Sequence, residues 1–328
     1  IGLGHVTRDI AIANNFESIS TKFITGSSAA KILKNLNFKV EDAYIPPSFI
    51  IENGKLKNST RWLWNYYQYY KKCKKISEEI IQKDKPRLIV SDEDFASLTV
   101  AQNKKILTVL ITDIVQTNFV NGITSFIEKK MNKSMQKIMK NCDTVIIPED
   151  GPDEENIKRV GPIVRQTSFS RDELRKRFSF DKKTIVISVG GTDAGLYLIE
   201  KTIESISKIK SDIDVIVVSG PSLSKKFGET VRNFGFVDNL HEIIFAADVI
   251  VSLAGKSTID ESKVYGTPGI FIPIKGHFEQ EDNAKEEGFV FEDIYKIDEL
   301  IIEKLEQKRN PIQTSGAINA YNIIKKLM

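Results

Sequence analysis

The sequence predicts an α/β fold of the doubly wound kind, built twice in one chain. Three observations predict it. Short runs rich in Ile and Val alternate with longer amphipathic stretches along the 328 residues. Runs such as "TIVISV" and "DVIVV" are apolar nearly throughout, as parallel strands covered on both faces by helices are. Most of them end on glycine or a small polar residue just where a helix pattern begins, which is the βαβ rhythm.

Taken in order, the first half offers strands at "TKFIT" (21–25), "RLIVSD" (87–92), "ILTVLITD" (106–113) and "TVIIPE" (144–149). The second half offers "TIVISVGG" (184–191), "DVIVVSG" (214–220), "ADVIVSLAG" (247–255) and "GIFIPI" (269–274). Between them, "PEDGPDEENIKRVGPIVR" (148–165) is acidic, marked by Pro and Gly, and lacks a long apolar run, so it reads as a hinge. The domains expected are 1–160, 161–310 and a closing helix, 311–328, that returns to the first domain. That helix carries Ile318, Tyr321, Ile324 and Leu327 at helical spacing.

Composition excludes several classes. Apolar residues are 41% and charged residues 28%, the balance of a soluble globular protein, and no run approaches a membrane span or a signal peptide. Two distant cysteines, Cys73 and Cys142, and three histidines argue against a Cys/His metal cluster and fit a reducing cytosol. The net charge of +3 is uneven: residues 1–160 hold 24 Lys/Arg and 19 Asp/Glu, while 55–87 alone hold ten basic and three acidic groups. A local basic patch says more than the total.

Two loops of the second half have ligand-binding chemistry. Gly190 and Gly191 allow a tight turn and bring amides close to a ligand, and Thr192 with Asp193 can cap the helix that follows. The same residues also suit an ordinary strand–helix turn. In "AGKSTIDE", Gly255, Lys256, Ser257 and Thr258 open a helix whose positive end suits a diphosphate, and Glu261 falls one turn inside. Further on, Glu279, Gln280 and Asn283 offer paired acceptors and donors for sugar hydroxyls.

The spaced run "AGKSTIDE", "GTPGIFIP" and "QEDNA" over 247–284 resembles the donor half of GT-B glycosyltransferases of the MurG-like, family 28 type. The resemblance is strong over 184–290 and the first dozen residues, and architectural over most of 20–180. It implies two Rossmann-like domains facing a cleft, with the nucleotide sugar, UDP-linked, in the second. By position it implies diphosphate contacts at Gly255 to Thr258, a ribose contact at Glu261 and donor-sugar contacts at Glu279 and Gln280. "GFVDNL" (235–240) matches the segment whose backbone meets the base, near Phe236 and Val237. Leu253 stands where relatives place a basic or histidine side chain, so the phosphates must rely on backbone amides, Thr258 or Lys256.

The N-terminal "IGLGHVTRD" resembles the first loop of the same superfamily's acceptor domain, in its G-x-G-H-x-x-R form. Its strand is expected just upstream of Ile1. Gly4 belongs to the turn, His5 is the candidate base for an acceptor hydroxyl, and Arg8, one turn on, can meet a phosphate or an acidic acceptor. Histidine suits a base because its pKa lies nearest working pH. The alternative is a structural loop histidine and a surface arginine.

"VSDEDFASL" contains D-x-D, Asp92 to Asp94. It lies in the first domain, away from the donor motifs, so Asp92 reads as a strand-end or N-cap residue near the cleft, and no required metal is expected. His277 reads as pocket-lining or exposed; His241 reads as a surface or capping residue. The stretch "RWLWNYYQYYKKCKK" (61–75) combines aromatics and lysines. It suits either a lipid surface and lipid-linked acceptor or packing into the core. The Met131, Met135, Met139 stripe reads as core. Nucleic acid is not an expected partner.

The expectation is an inverting, metal-independent transferase moving a hexose from a UDP-sugar, its only co-substrate, to an acceptor hydroxyl. It would act in the cytoplasm at the inner membrane face. The alternatives are a hydrolase or epimerase of the same fold, or a non-catalytic nucleotide-sugar or membrane-binding subunit.

Overall fold

The computed structural model describes residues 3–16, 21–119, 125–190, 193–220, 223 and 225–328. The described residues open with helix α1 (Leu3–Ala13), then parallel strands β1 (Phe23–Thr25) and β2 (Val40–Asp42) flanking α2 (Ser27–Asn35). An antiparallel hairpin follows, β3 (Ile50–Glu52) and β4 (Lys55–Lys57), then the long α3 (Ser59–Asp84). Strands β5 (Leu88–Asp92), β6 (Leu107–Ile111), β7 (Thr144–Ile147) and β8 (Ile157–Arg159) form a parallel sheet in sequential order. Helices α4 (Phe95–Asn103) and α5 (Ser125–Lys140) link them.

Strand β8 lies inside the acidic stretch read as a hinge. Lys158 and Arg159 carry the charges that hid it, but its backbone completes the sheet beside β7. The sheet is covered on both faces. Phe95, Leu98, Ile138 and Met139 pack on Leu110 and Val145 from one side, with Met135 against the same cluster. The methionine stripe is therefore core at two of its three positions. Ala11 and Ile12 of α1 pack with Ala320 and Ile324 against Val109, Ile111 and Ile146 on the other face.

The second sheet has order β11-β10-β9-β12-β13, all parallel: β9 (Lys183–Ser188), β10 (Ile213–Val218), β11 (Val231–Asn233), β12 (Val249–Leu253) and β13 (Gly269–Ile272). The order reverses beside β9, and ligands bind open α/β sheets at such switch points. Ile185, Ile187, Ile216 and Val251 are fully or almost fully buried in its core, each contributing roughly 2 kcal/mol by leaving water. Its helices are α6 (Arg171–Phe178), α7 (Leu196–Ile206), α8 (Leu240–Ala246), α9 (Lys256–Tyr265), α10 (Phe278–Glu286) and α11 (Ile297–Glu306).

The final helix, α12 (Gly316–Lys326), packs on α1, and Tyr321 meets Phe16 edge-on at 4.8 Å. Its buried face is Ala320 and Ile324; Ile318 is 53% exposed, so the apolar stripe is narrower than the spacing implies. No helix among the described residues is long and apolar enough to cross a membrane.

Candidate active site

Both sheets present their C-terminal strand ends to one seam, and α1 of the first sheet meets α9 of the second there. The Ser257 hydroxyl donates to the Gly4 carbonyl at 3.0 Å. A Cβ at Gly4 would lie 2.9 Å from Ser257 Oγ. Gly4 is thus a close-approach glycine, and what approaches it is the opposing helix start. Gly4 already lies in α1, so the expected loop is helical by its second glycine.

One turn of α1 then places His5 and Arg8 on one face, against the end of β5. His5 Nδ1 lies 2.9 Å from Asp92 Oδ1. Arg8 Nε donates to Asp92 Oδ2 at 2.7 Å, and its NH2 reaches Oδ1 as well. An ionised Asp92 can only accept, so Nδ1 carries the hydrogen and Nε2 is left facing the cleft. Arg8 is 4% exposed and also lies 3.4 Å from Asp113 and 3.7 Å from Glu93. This corrects the expected role of Arg8: its guanidinium is enclosed by carboxylates and points at no acceptor. Asp92 is a strand-end residue. The N-cap role belongs to Asp94, which accepts from Ala96 and Ser97 amides and from the Tyr44 hydroxyl, so the two carboxylates of D-x-D take different partners.

Two acids complete the cluster that the linear reading passed over. Glu93 accepts from the Thr112 hydroxyl at 2.9 Å, and its Oε2 lies 3.8 Å from His5 Nε2. Asp113, just past β6, holds one buried oxygen without a partner. Burial opposes charge on His5, but Asp92 and then Glu93 outweigh it and raise the imidazole to about 9. Burial pushes Glu93 up to about 8, with Asp113 adding to the effect. Asp92 is held below the usual carboxylate range: burial is outweighed by Arg8 and His5. From the opposite domain, Glu279 is pushed up to about 7 by burial and by Asp113, and eased by His5 and Arg8.

On the donor side, Gly190 turns the chain after β9 with φ +72°, and a Cβ at either Gly190 or Gly255 would meet nothing within 4 Å. Gly191 and Thr192 lie outside the described residues. Gly255 caps α9 without a side chain, and the first amides of a helix have no intrahelical acceptor. Lys256 is paired with Asp260 at 3.1 Å. Thr258 donates its amide to Gly255. Glu261 is 4% exposed, pushed up to about 7 by burial and held down in part by Arg165, whose NH2 is 3.9 Å away. Arg165, at the end of the "GPIVR" segment, also donates to the Asp238 carbonyl at 2.5 Å. Phe236 packs with Val6 and Ile10 of α1, and Val237 packs on the core of the second sheet. Gln280 accepts from the Ile274 amide at 3.0 Å, and Asn283 donates to the Ala254 carbonyl at 3.1 Å, so both amides brace the loops around α9.

Two histidines differ from expectation. His241 is 8% exposed at the start of α8, where Asn239 holds the N-cap position, and burial lowers it to about 3. His277 is 7% exposed, lowered to about 4 by burial, and enclosed by Phe49, Phe119 and Phe278. It belongs to a clasp between the domains. Leu56 of β4 donates to the Lys275 carbonyl at 2.8 Å, Lys275 donates back to Gly54 at 2.9 Å, and Trp62 stacks on Phe49 at 4.3 Å. A cavity of about 290 Å³ opens beside this clasp, lined by Ser59, Phe119, Phe278 and Asp282. Another, of about 380 Å³, lies at the far end of α1 beside Arg165 and His241. Trp62 therefore faces inward, while Trp64 is 57% and Tyr67 37% exposed.

Comparison with known proteins agrees with this architecture. Residues 184–322 match the glycosyltransferase family 28 C-terminal domain. An uncharacterized glycosyltransferase of Methanopyrus kandleri is 24% identical over 63% of this chain and 62% of its own length. The UDP-N-acetylglucosamine–N-acetylmuramyl-(pentapeptide) pyrophosphoryl-undecaprenol N-acetylglucosamine transferase of Aquifex aeolicus is 29% identical over 64% of this chain and 62% of its own length. These matches thus span about three fifths of each relative. Acinetobacter baumannii MurG superposes over 98% of this chain and 96% of its own, with TM-score 0.57 at 12% identity, a likeness of fold. The fold is GT-B and MurG-like, and its second domain is similar to the glycosyltransferase family 28 C-terminal domain.

Proposed function

We propose that the protein is an inverting, metal-independent glycosyltransferase that moves a hexose from a UDP-sugar to the hydroxyl of a lipid-linked acceptor. The observation that carries this reading is the His5–Asp92 pair at 2.9 Å, set on the same seam as the amide-rich start of α9. The donor diphosphate lies against Gly255 to Thr258 and the Gly190 turn, where the helix dipole and the first amides of α9 favour anions. Glu261, beside Arg165, takes the ribose, and Glu279 faces the donor sugar from above the first-domain cluster. The acceptor hydroxyl enters at Nε2 of His5, whose neutral form, populated as pH rises toward 9, takes its proton as the oxygen attacks the anomeric carbon. The bond from that carbon to the diphosphate breaks on the opposite face, and the charge reaching the phosphates meets the α9 amides. One displacement inverts the anomeric centre.

The relatives of UDP-N-acetylglucosamine chemistry support a nucleotide-sugar donor and a lipid-linked acceptor. The exposed Trp64, Tyr67 and Lys71, with the Lys71 ammonium 4.4 Å over the Tyr67 ring, offer a face for a lipid surface at the cytoplasmic side of a membrane. Metal independence is supported by Asp94 being taken up by the α4 cap. The test is to assay a panel of UDP-sugars with polyprenyl-diphosphate acceptors, with and without EDTA. Product with inverted configuration, undiminished by EDTA, supports the reading. Free sugar or an epimer formed without acceptor would replace it with a hydrolase or epimerase.

A further inference from the structure

Glu93 stands in an unusual backbone state. Its φ is +58°, in the left-handed region, directly after β5, where the chain turns from strand toward α4. A β-carbon is disfavoured there, and Gly or Asn would hold the turn with less strain. The turn instead uses a glutamate whose carboxylate folds back over the strand ends. Oε1 is fixed by the Thr112 hydroxyl at 2.9 Å and the Asp113 amide at 3.3 Å. That anchoring leaves Oε2 pointing at His5, 3.8 Å from Nε2. This gap is too long for a direct hydrogen bond and short enough for one oxygen atom to sit within bonding distance of both.

His5 and Glu93 are also the two groups of this cluster with the most open side chains, at 26% and 16% exposed, whereas Asp92 and Arg8 are at 5% and 4%. The charged groups facing Glu93 are His5 and Arg8 from α1, Asp92 beside it and Asp113 after β6. Asp92 and Arg8 saturate each other, and Asp113 shares Arg8. Asp113 keeps one buried oxygen without a partner, and on the more open side of the cluster the free ends are Nε2 and Oε2.

We propose that Glu93 is a catalytic residue: Oε2 and His5 Nε2 bind one acceptor hydroxyl between them, and this pair takes up its proton. The reading rests on the transfer reaction proposed above. In that step the hydroxyl O–H bond breaks, its oxygen bonds the anomeric carbon, the carbon–diphosphate bond breaks with its electron pair, and one proton stays on the His5–Glu93 pair. His5 is raised to about 9 and Glu93 to about 8, so the proton-accepting form of the pair gains population as pH rises toward 9, and transfer should rise with it.

The experiment is steady-state transfer by wild type, E93Q and E93N, with the melting temperature and UDP affinity of each. E93Q keeps an oxygen for Thr112 and the Asp113 amide but turns the free end into a donor. The proposal expects a loss of about 10²-fold in kcat/KM for the acceptor, UDP affinity unchanged within about twofold, and a flattened pH profile between pH 6 and 9. E93N relieves the left-handed turn, so it should melt at or above wild type while losing transfer equally. If E93Q transfers within about threefold of wild type with the same pH profile, Glu93 is a structural turn residue and the proposal fails. If wild type itself transfers no sugar, the reaction proposed above fails instead.

Discussion

At the scale of the residue, the chemistry depends on which atoms are left free. Asp92 occupies Nδ1 of His5 and the Nε and NH2 of Arg8, so its charge fixes the ring and its tautomer. Replacing it with Asn keeps the size but removes the charge that holds Nδ1–H. D92N should therefore lower kcat by about 10²-fold or more, leave UDP affinity unchanged, and lower the His5 pKa from its raised value. Titration of the His5 ring by NMR checks the last point; an unshifted ring would show that Asp92 is not its partner in solution. The sequence showed His5, Arg8 and Asp92 because each sits in a motif or at a strand end. It did not show Glu93 and Asp113. They come from consecutive strand termini that only the sheet order β5-β6 brings together, and acidic residues after strands are common. His277 was misplaced for a similar reason: its partners Phe49 and Phe119 are more than a hundred residues away, and no periodicity links them.

At the scale of the element, the seven described strands of four to six residues were readable, and so was the three-residue β1. The unread ones, β2, β3, β4, β8 and β11, have three residues each and mix charge with apolar side chains. Hydrophobic period cannot mark strands that short. Two element contacts carry predictions. The first is α1 against α9. G4A places a methyl 2.9 Å from Ser257 Oγ and should part the two helix starts; a shift of about 1 Å there costs up to ~10²-fold in transfer. The double variant with S257G should recover most of it, and a G4A protein of full activity would remove the role given to this contact. The second is the hairpin clasp. Trp62 stacks at 4.3 Å on Phe49, so W62A should cost about 3 kcal/mol in urea unfolding. W64A, at a 57% exposed position, should cost under ~0.5 kcal/mol and instead weaken sedimentation with anionic vesicles. Equal vesicle binding by W64A and wild type would take the lipid face away from this helix.

At the scale of the whole molecule, buried ionisable groups are concentrated along the seam, and they give the fold a pH signature. His5 is raised to about 9, so the stability it contributes is complete below its unfolded value near 6.5 and is lost as pH rises toward 9. Glu93, Glu261 and Glu279 are raised to about 8, 7 and 7. A folded carboxyl that holds its proton more tightly than the unfolded one destabilises the fold as pH rises from about 4.5 through that value. Asp92, depressed by Arg8 and His5, works the other way and contributes above about pH 4. The melting temperature should therefore peak near pH 5 to 6 and fall by pH 9, and E279Q should flatten that fall. A flat or rising curve across that window would mean these groups are solvated when the protein is in solution.

In the proposed reaction a proton-accepting cluster on the first sheet and an anion-binding helix start on the second act on one sugar. Transfer of labelled sugar from UDP-sugars to a polyprenyl-diphosphate acceptor, by wild type and by H5A, tests it most directly. The expected result is labelled lipid product from wild type, loss of about 10²-fold or more in H5A, and equal UDP binding by both. Undiminished transfer by H5A, or UDP binding with no transfer to any acceptor by wild type, would contradict it.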